Sequence, residues 1–437
     1  MAKPPRDPGA GMQKRHGAVL RAATTNARPL VFGVDPNQLA QTGWAVVFGH
    51  DTCPRVREAL APLLALRKKQ VGEDTNLYRE ITLNQGETAE QFLTRMGTAP
   101  GPAQPKHLPF HLLLVASPQS VSFDVQADLA VGRGVGRLCF PCHDDYTHYA
   151  QQMVEAEQRF RSGPALAAFF GPNHGLEANT LATSTKLARD LPKEIAAALP
   201  EDCRRATWFG AEATVPALAK LLGSEQRPDL LLTAGHGMQM PVGGPAQTRY
   251  QGGLIGCEWE DTRARVPRAA CFAAEDLAAL PWTARPGSVA VLLACHSGGT
   301  RRFDAFNPQA PPVAAHPFVA ALPNAMLTRG WSAVVAHVDR AYLHSFLWRG
   351  NTSTSQTYGS FLAALAAGYP VGWAAEPFGL RYAEIQVHYD RLKAAAAAGL
   401  PVDRQALSDL WFALIDARYF LTFGDPAARA RNFVTRT

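Results

Sequence analysis

DLLLTAGHG (Asp229–Gly237) and SVAVLLACHSGG (Ser288–Gly299) share one design: an apolar run that stops at a reactive side chain flanked by glycine or other small residues. Short apolar runs bounded by turn-forming residues suit strands buried on both faces, the pattern of parallel sheets. If the two strands are parallel, His236 and Cys295 emerge on the same edge. In open α/β sheets, ligands sit at the carboxyl ends of the strands.

Outward from this pair the chain alternates strands and helices. Gly43–Gly49 (GWAVVFG) reads as a buried strand and Pro54–Lys69 as the helix after it. Gln70 to Lys106 is a polar passage with a short helical stretch at Glu90–Arg95 and a linker rich in Pro and Gly. Pro109–Pro118 reads as a strand, Tyr146–Arg161 as a helix, and Thr180–Leu199 and Ala213–Leu222 as helices leading into Asp229–Ala234. Beyond Cys295, FVAALPNAMLTRG predicts a helix, WSAVVAHV (Trp331–Val338) a strand, and Ser355–Ala367 and Leu380–Ala398 two further helices. This alternation predicts an α/β fold with a mainly parallel sheet. Residues 1–28, basic and rich in Pro, Gly and Ala, read as a flexible tail. Residues 29–165 read as an N-terminal α/β subdomain and 166–437 as a second one that carries both reactive residues.

Composition narrows the function. The chain has 437 residues, 47% of them hydrophobic and 18% charged, enough for a large core and too apolar for global disorder. A net charge of +6 is thinly spread, and RKK at Arg67–Lys69 is a modest cluster, so nucleic acid is not an expected partner. No uninterrupted apolar stretch is long enough for a membrane span, and the N-terminal segment lacks the apolar core of a signal peptide. A cytoplasmic protein is expected. Seven irregularly spaced cysteines do not form a disulfide framework, so reduced thiols are expected.

A thiol with an ordinary pKa is mostly protonated at neutral pH. An imidazole within reach is the simplest means of taking its proton during attack. Cys295 is therefore the candidate nucleophile and His236 its base. The neighbouring glycines let a substrate backbone approach, and the backbone N–H groups of Gly237 and Cys295 are candidate oxyanion donors.

LLTAGHG and VLLACHSGG resemble the His-Gly and Ala-Cys signatures of the caspase-like cysteine peptidases, whose histidine precedes the cysteine. Gly210–Gly237 is similar to the segment before the histidine in CHAT domains. PFHLLLVASPQSVSF, AVGRGVGRLCF and YFLTFGDPAARA resemble the bacterial gingipain-like branch. The likeness spans most of Gly43–Arg431. It implies a caspase-like three-layer sandwich of two stacked subdomains, with 166–437 as the catalytic one. It also implies a Cys-His dyad and endopeptidase action on protein or peptide substrates, with neither cofactor nor metal. A bacterial defence or regulated-proteolysis setting, with a regulatory protein partner, belongs to the same implication; a catalytically silent scaffold that binds a protein partner is the alternative. Gingipains recognise Arg at the cleavage site through an acidic residue. Here Glu177 and Asp339 are candidates for that pocket, with Trp348 or Phe346 as its wall. His296, directly after the nucleophile, departs from the family pattern; it either perturbs the thiolate or faces solvent.

Other motifs have plainer readings. CFPCH (Cys139–His143) has the form of a haem attachment site or half a zinc site, but lacks an export signal and a second CxxC, so a loop coincidence is expected. Gly132–Gly136 lacks phosphate-loop spacing and reads as a turn. His174-Gly175 is a second His-Gly pair with no comparable strand before it. Cys257 and Cys271 read as incidental thiols between the dyad strands, and Asp425-Pro426 in FGDP as a turn that closes a strand, where the resemblance implies an ordered core position.

Overall fold

A computed structural model describes residues 30–433, apart from 100, 160–162, 176, 261, 349–351 and 354. The 1–28 tail lies outside the described residues. Ten strands form one sheet: β1 (Trp44–Gly49), β2 (Tyr78–Leu83), β3 (His111–Val115), β4 (Gly134–Leu138), β5 (Leu166–Pro172), β6 (Arg204–Gly210), β7 (Leu230–Ala234), β8 (Ser288–Leu293), β9 (Trp331–His337) and β10 (Phe420–Gly424), in the spatial order β2-β1-β3-β4-β10-β9-β8-β7-β5-β6. Every neighbouring pair is parallel except β9 with β10, which is antiparallel. The fold is thus α/β with a large, mostly parallel sheet. Its two halves run in opposite directions and meet edge to edge at β9–β10.

Central strands are buried on both faces. In β1, Trp44, Val46 and Phe48 join the larger core cluster while Ala45 and Val47 face a second one with Leu112 and Leu114. Alternate side chains of a strand point to opposite faces, so apolar residues at every position require cover on both. The helices α1 (Ala61–Val71) and α2 (His143–Gln158) pack side by side in the first half. The helices α3 (Glu376–Ala397) and α4 (Arg404–Arg418) form a packed pair late in the chain.

The sequence reading departs from this fold mainly at the sheet margins. β2 and β6 are the outermost strands and carry exposed polar residues, so YREITL hid inside the polar passage and RRATWFG between helices. The helix expected over Thr180–Leu199 is broken: Ala178–Thr183 is α-helical, Ser184–Asp190 a π-helical turn, and shorter pieces follow. FVAALPNAMLTRG begins as a short strand at Phe318–Val319 and turns helical at Ala321. Of the glycines expected to form a turn, Gly134 and Gly136 belong to β4. A Cβ at Gly136 would lie 2.0 Å from the Gly424 carbonyl oxygen, so only glycine lets β4 pair with β10 there.

Asp425, fully buried just after β10, ties the halves together. Its carboxylate accepts from Trp44 Nε1 at 2.9 Å and Arg67 Nε at 2.7 Å. Its own N–H donates to the Tyr149 hydroxyl, which donates to the Ser332 carbonyl at the start of β9. Arg67 also pairs with Glu157 at 2.9 Å, and Arg431 closes on the same carboxylate. Burial alone would raise the Glu157 pKa, but Arg67 and Arg431 outweigh it and hold the carboxyl at about 2. That depression contributes stability above the ordinary carboxylate range, and the contribution is lost as pH falls through about 2. Removing the Asp425 carboxylate leaves two buried donors, Trp44 Nε1 and Arg67 Nε, without their acceptor and takes one of the two carboxylates from the buried Arg67. Asp425→Ala is expected to cost about 3–5 kcal/mol, read as a lowered urea midpoint; a loss below about 1 kcal/mol, the range of a surface pair, would contradict the assigned role.

Candidate functional site

β7 and β8 are in parallel register with Leu293 opposite Ala234, and Gly235 N–H donates to Leu293 O at 3.0 Å. Two residues on, His236 and Cys295 therefore stand level at the carboxyl edge of neighbouring strands. A Cβ at Gly237 would lie 1.9 Å from the Cys295 carbonyl oxygen, so the two backbones touch and glycine is required. The chain leaves Cys295 through His296, which has φ 58° and is the sole non-glycine residue with positive φ among the described residues. A left-handed residue of this size is strained and needs fixing from outside. The His296 N–H donates to Asp339 O at 2.8 Å. His296 is 1% exposed, so it does not face solvent, and burial lowers its pKa to about 4, keeping it neutral.

His236 is oriented by Glu177. Its Nε2 lies 2.7 Å from Glu177 Oε2, and the same oxygen accepts from the Thr180 hydroxyl at 3.2 Å. A carboxylate only accepts, so Nε2 carries the hydrogen and Nδ1 keeps a lone pair free to take a proton. Glu177 thus faces the histidine, where the sequence placed it in a substrate pocket. His174 also reaches this edge: contrary to expectation a strand does precede it, β5, which pairs directly with β7. The apolar run LAAFFGP was the available signal.

Cys295 Sγ accepts from Ala341 N–H at 3.3 Å and donates to Ala341 O at 3.7 Å. No hydrogen bond joins it to His236 among the described residues. Burial pushes the thiol up, against the Ala341 N–H and the Arg340 charge, which favour the thiolate. Ala341 belongs to a loop anchored by Asp416 on α4, whose carboxylate accepts from Tyr342 N–H at 2.9 Å and from the Ser345 hydroxyl at 2.5 Å. Asp416 is fully buried and was not singled out from sequence; nothing in a lone Asp of a helix marks it.

Asp339 is 1% exposed. Its carboxylate accepts from Ala305 N–H and Arg340 N–H at 3.0 and 2.8 Å, and burial raises its pKa to about 6. It braces the loop beside the nucleophile. Trp348 packs against the small apolar cluster of Ile385, Leu410 and Leu414 on the α3–α4 pair, and Phe346 is fully buried in the main core. Of the pocket residues expected from sequence, Glu177 is therefore bonded to His236 and Asp339 to the loop beside Cys295, while Trp348 and Phe346 pack into hydrophobic clusters.

The oxyanion candidates fare differently. Gly237 bridges Leu254 through flanking bonds from Ile255 N–H to His236 O and from Met238 N–H to Gly253 O, and the Gly237 N–H is engaged by no group among the described residues. The Cys295 N–H is likewise taken by no other group among the described residues. Cys271 is buried with its thiol pushed up to about 12, and Cys257 donates to Ala211 O, so both are packed thiols. Among the described residues no group of three or more His, Cys, Asp or Glu is placed to hold a metal ion, and no helix is long and apolar enough to cross a membrane.

No family model and no curated protein matches the chain. Among solved structures it is similar to the Arg-specific cysteine proteinase gingipain R, at 11% identity over 89% of this chain and 78% of that one, with a TM-score of 0.47. The complex of Porphyromonas gingivalis RgpB pro- and mature domains gives 10% identity over 89% and 79%, also at 0.47. A chain of the Saccharomyces cerevisiae separase–securin complex matches at 13% identity over 73% of this chain and 15% of that one, at 0.38. These are likenesses of chain course at low identity, and no activity passes from them to this chain.

The raised thiol has a direct consequence. Alkylation of Cys295 by iodoacetamide is expected to increase with pH through a midpoint above that of a free cysteine peptide, because the folded thiol keeps its proton to higher pH. A midpoint below neutrality would mean a preformed thiolate and would contradict the geometry.

Proposed function

We propose that this chain is a caspase-like cysteine endopeptidase. Cys295 attacks the substrate carbonyl, and His236 Nδ1 takes the thiol proton and returns one to the leaving amine. The attack forms the S–C bond and breaks the C–N bond; water then hydrolyses the thioester. The developing oxyanion is received by the N–H groups of Gly237 and Cys295. Glu177 holds the imidazole in the required tautomer and stabilises the imidazolium. The observation that carries the reading is the β7–β8 register, which sets His236, already bonded to Glu177, level with Cys295.

Because Sγ rests on Ala341 in this state, substrate is expected to draw the thiol toward His236; apo geometry of this kind tightens in a Michaelis complex. The carboxylates of Glu177 and Asp339 are both engaged within the protein, so a basic side chain at the cleavage site is not the expected preference.

Cleavage of a mixed peptide library by wild type and Cys295→Ala, read by mass spectrometry, tests the assignment. Cuts made only by the wild type are expected. The same cuts from both proteins would overturn it, and silence from both would favour the scaffold alternative. Glu177→Gln is expected to lower kcat by roughly 10²-fold or more while leaving the urea midpoint in place; an unchanged kcat would remove Glu177 from the mechanism.

A further inference from the structure

His236 lies between two further rings. His174 has its ring centroid 5.2 Å away at an interplanar angle of 34°, and Trp259 stands edge-on at 5.6 Å and 75°. These two also touch each other, at 5.4 Å and 63°, so the three rings close a triangle. A hydrogen bond locks the triangle, since His174 Nδ1 is 2.9 Å from the Trp259 carbonyl oxygen. A carbonyl only accepts, so Nδ1 carries the hydrogen and Nε2 is left as a lone pair, buried and without a partner among the described residues.

The same residues reach the carboxylate. The His174 N–H donates to the Thr180 hydroxyl at 3.1 Å, and that hydroxyl lies 3.2 Å from Glu177 Oε2, the oxygen bonded to His236. The ring and the acid of the pair are thus gripped by one set of side chains. Trp259 is itself pinned, its Nε1 donating to Ala264 O at 3.1 Å.

We propose that His174 and Trp259 are positioning residues that clamp the imidazole of His236, fixing its tilt and tautomer so that Nε2 stays on Glu177 and Nδ1 stays open toward the thiol. The inference rests on the peptidase reading of the site. Imidazole bonded through one nitrogen alone can swing about that bond, and two packed rings remove the swing. Burial lowers the His174 pKa, so this ring stays neutral and adds no second positive charge beside the imidazolium that forms in the reaction. Displacing a catalytic group by an ångström costs rate out of proportion to any lost contact.

The test uses the full chain with ¹⁵N-labelled histidine, comparing wild type with Trp259→Ala, Trp259→Phe and His174→Phe. NMR of the His236 ring nitrogens needs no turnover. The wild type is expected to show a single Nε2–H tautomer, Trp259→Ala a mixture, and Trp259→Phe the wild-type pattern, because a phenyl ring restores the edge contact. Kinetics run in parallel should show kcat down about tenfold to hundredfold in Trp259→Ala, KM within about twofold, and recovery in Trp259→Phe. His174→Phe keeps a ring face but loses the donor to Trp259 O, and should fall between. An unchanged His236 tautomer and unchanged kcat in Trp259→Ala overturn the clamp. If that variant does not fold, wild-type values for both readouts in a folded His174→Phe overturn it instead. Cleavage that persists in Cys295→Ala sinks the peptidase reading separately, while the ring spectra still decide the clamp.

Discussion

The parallel pairing of β7 with β8 is the constraint on which the rest depends. With Leu293 opposite Ala234, the residues that carry chemistry, His236 and Cys295, lie two positions beyond the last ladder pair and so stand level. A one-residue slip would turn one partner to the other face of the sheet. The close approach of Gly237 to Cys295 seals the register beyond the last strand bond, since any Cβ there would overlap the Cys295 carbonyl. From that point the site is built by neighbours on each side. β5 supplies the Glu177 and His174 segment beside His236, and β9 supplies the loop that holds the thiol.

The second structural demand is the reversal at β9–β10. Parallel sheets extend through crossovers, but here a strand from near the end of the chain enters between the two halves, parallel to one and antiparallel to the other. Such a seam joins regions far apart in sequence, and it carries a buried polar network in place of a purely apolar contact. Asp425 bonds to Trp44 and Arg67 from the first half, while Tyr149 reaches the Ser332 carbonyl at the start of β9. The α4 helix that precedes β10 delivers Asp416 to the loop around Ala341, so the closing segment of the chain bears on the nucleophile through two hydrogen bonds.

What is legible in the sequence largely follows burial. β1, β3, β7, β8 and β9 are apolar on both faces and each reads as a run; β5 is equally buried, but its run LAAFFGP is absent from the strands expected from sequence. β2 and β6 each have an exposed edge, their patterns mix Arg, Glu and Thr with apolar residues, and no local signal separates them from loop. The helix Arg404–Arg418 was missed although Asp403 caps it, with its carboxylate accepting from Gln405 and Ala406. At the site, strand ends and glycines point to His236, Cys295 and Gly237. Glu177 reads from sequence as a substrate-facing acid, and in the structure it holds His236. Its bond to His236 spans 59 residues and depends on the β5–β7 pairing, which no local pattern encodes. Asp339 differs from its sequence expectation for a related reason: burial after β9 turns its carboxylate onto backbone N–H groups.

The most direct measurement is site mapping of a peptidyl acyloxymethyl ketone, with peptide-level mass spectrometry over all seven cysteines of the native protein and of His236→Ala. An activated Cys295 beside a working base predicts label on Cys295 alone in the wild type and a large loss of that label in His236→Ala. Label spread over several cysteines, or an equal rate at Cys295 without His236, would contradict the account.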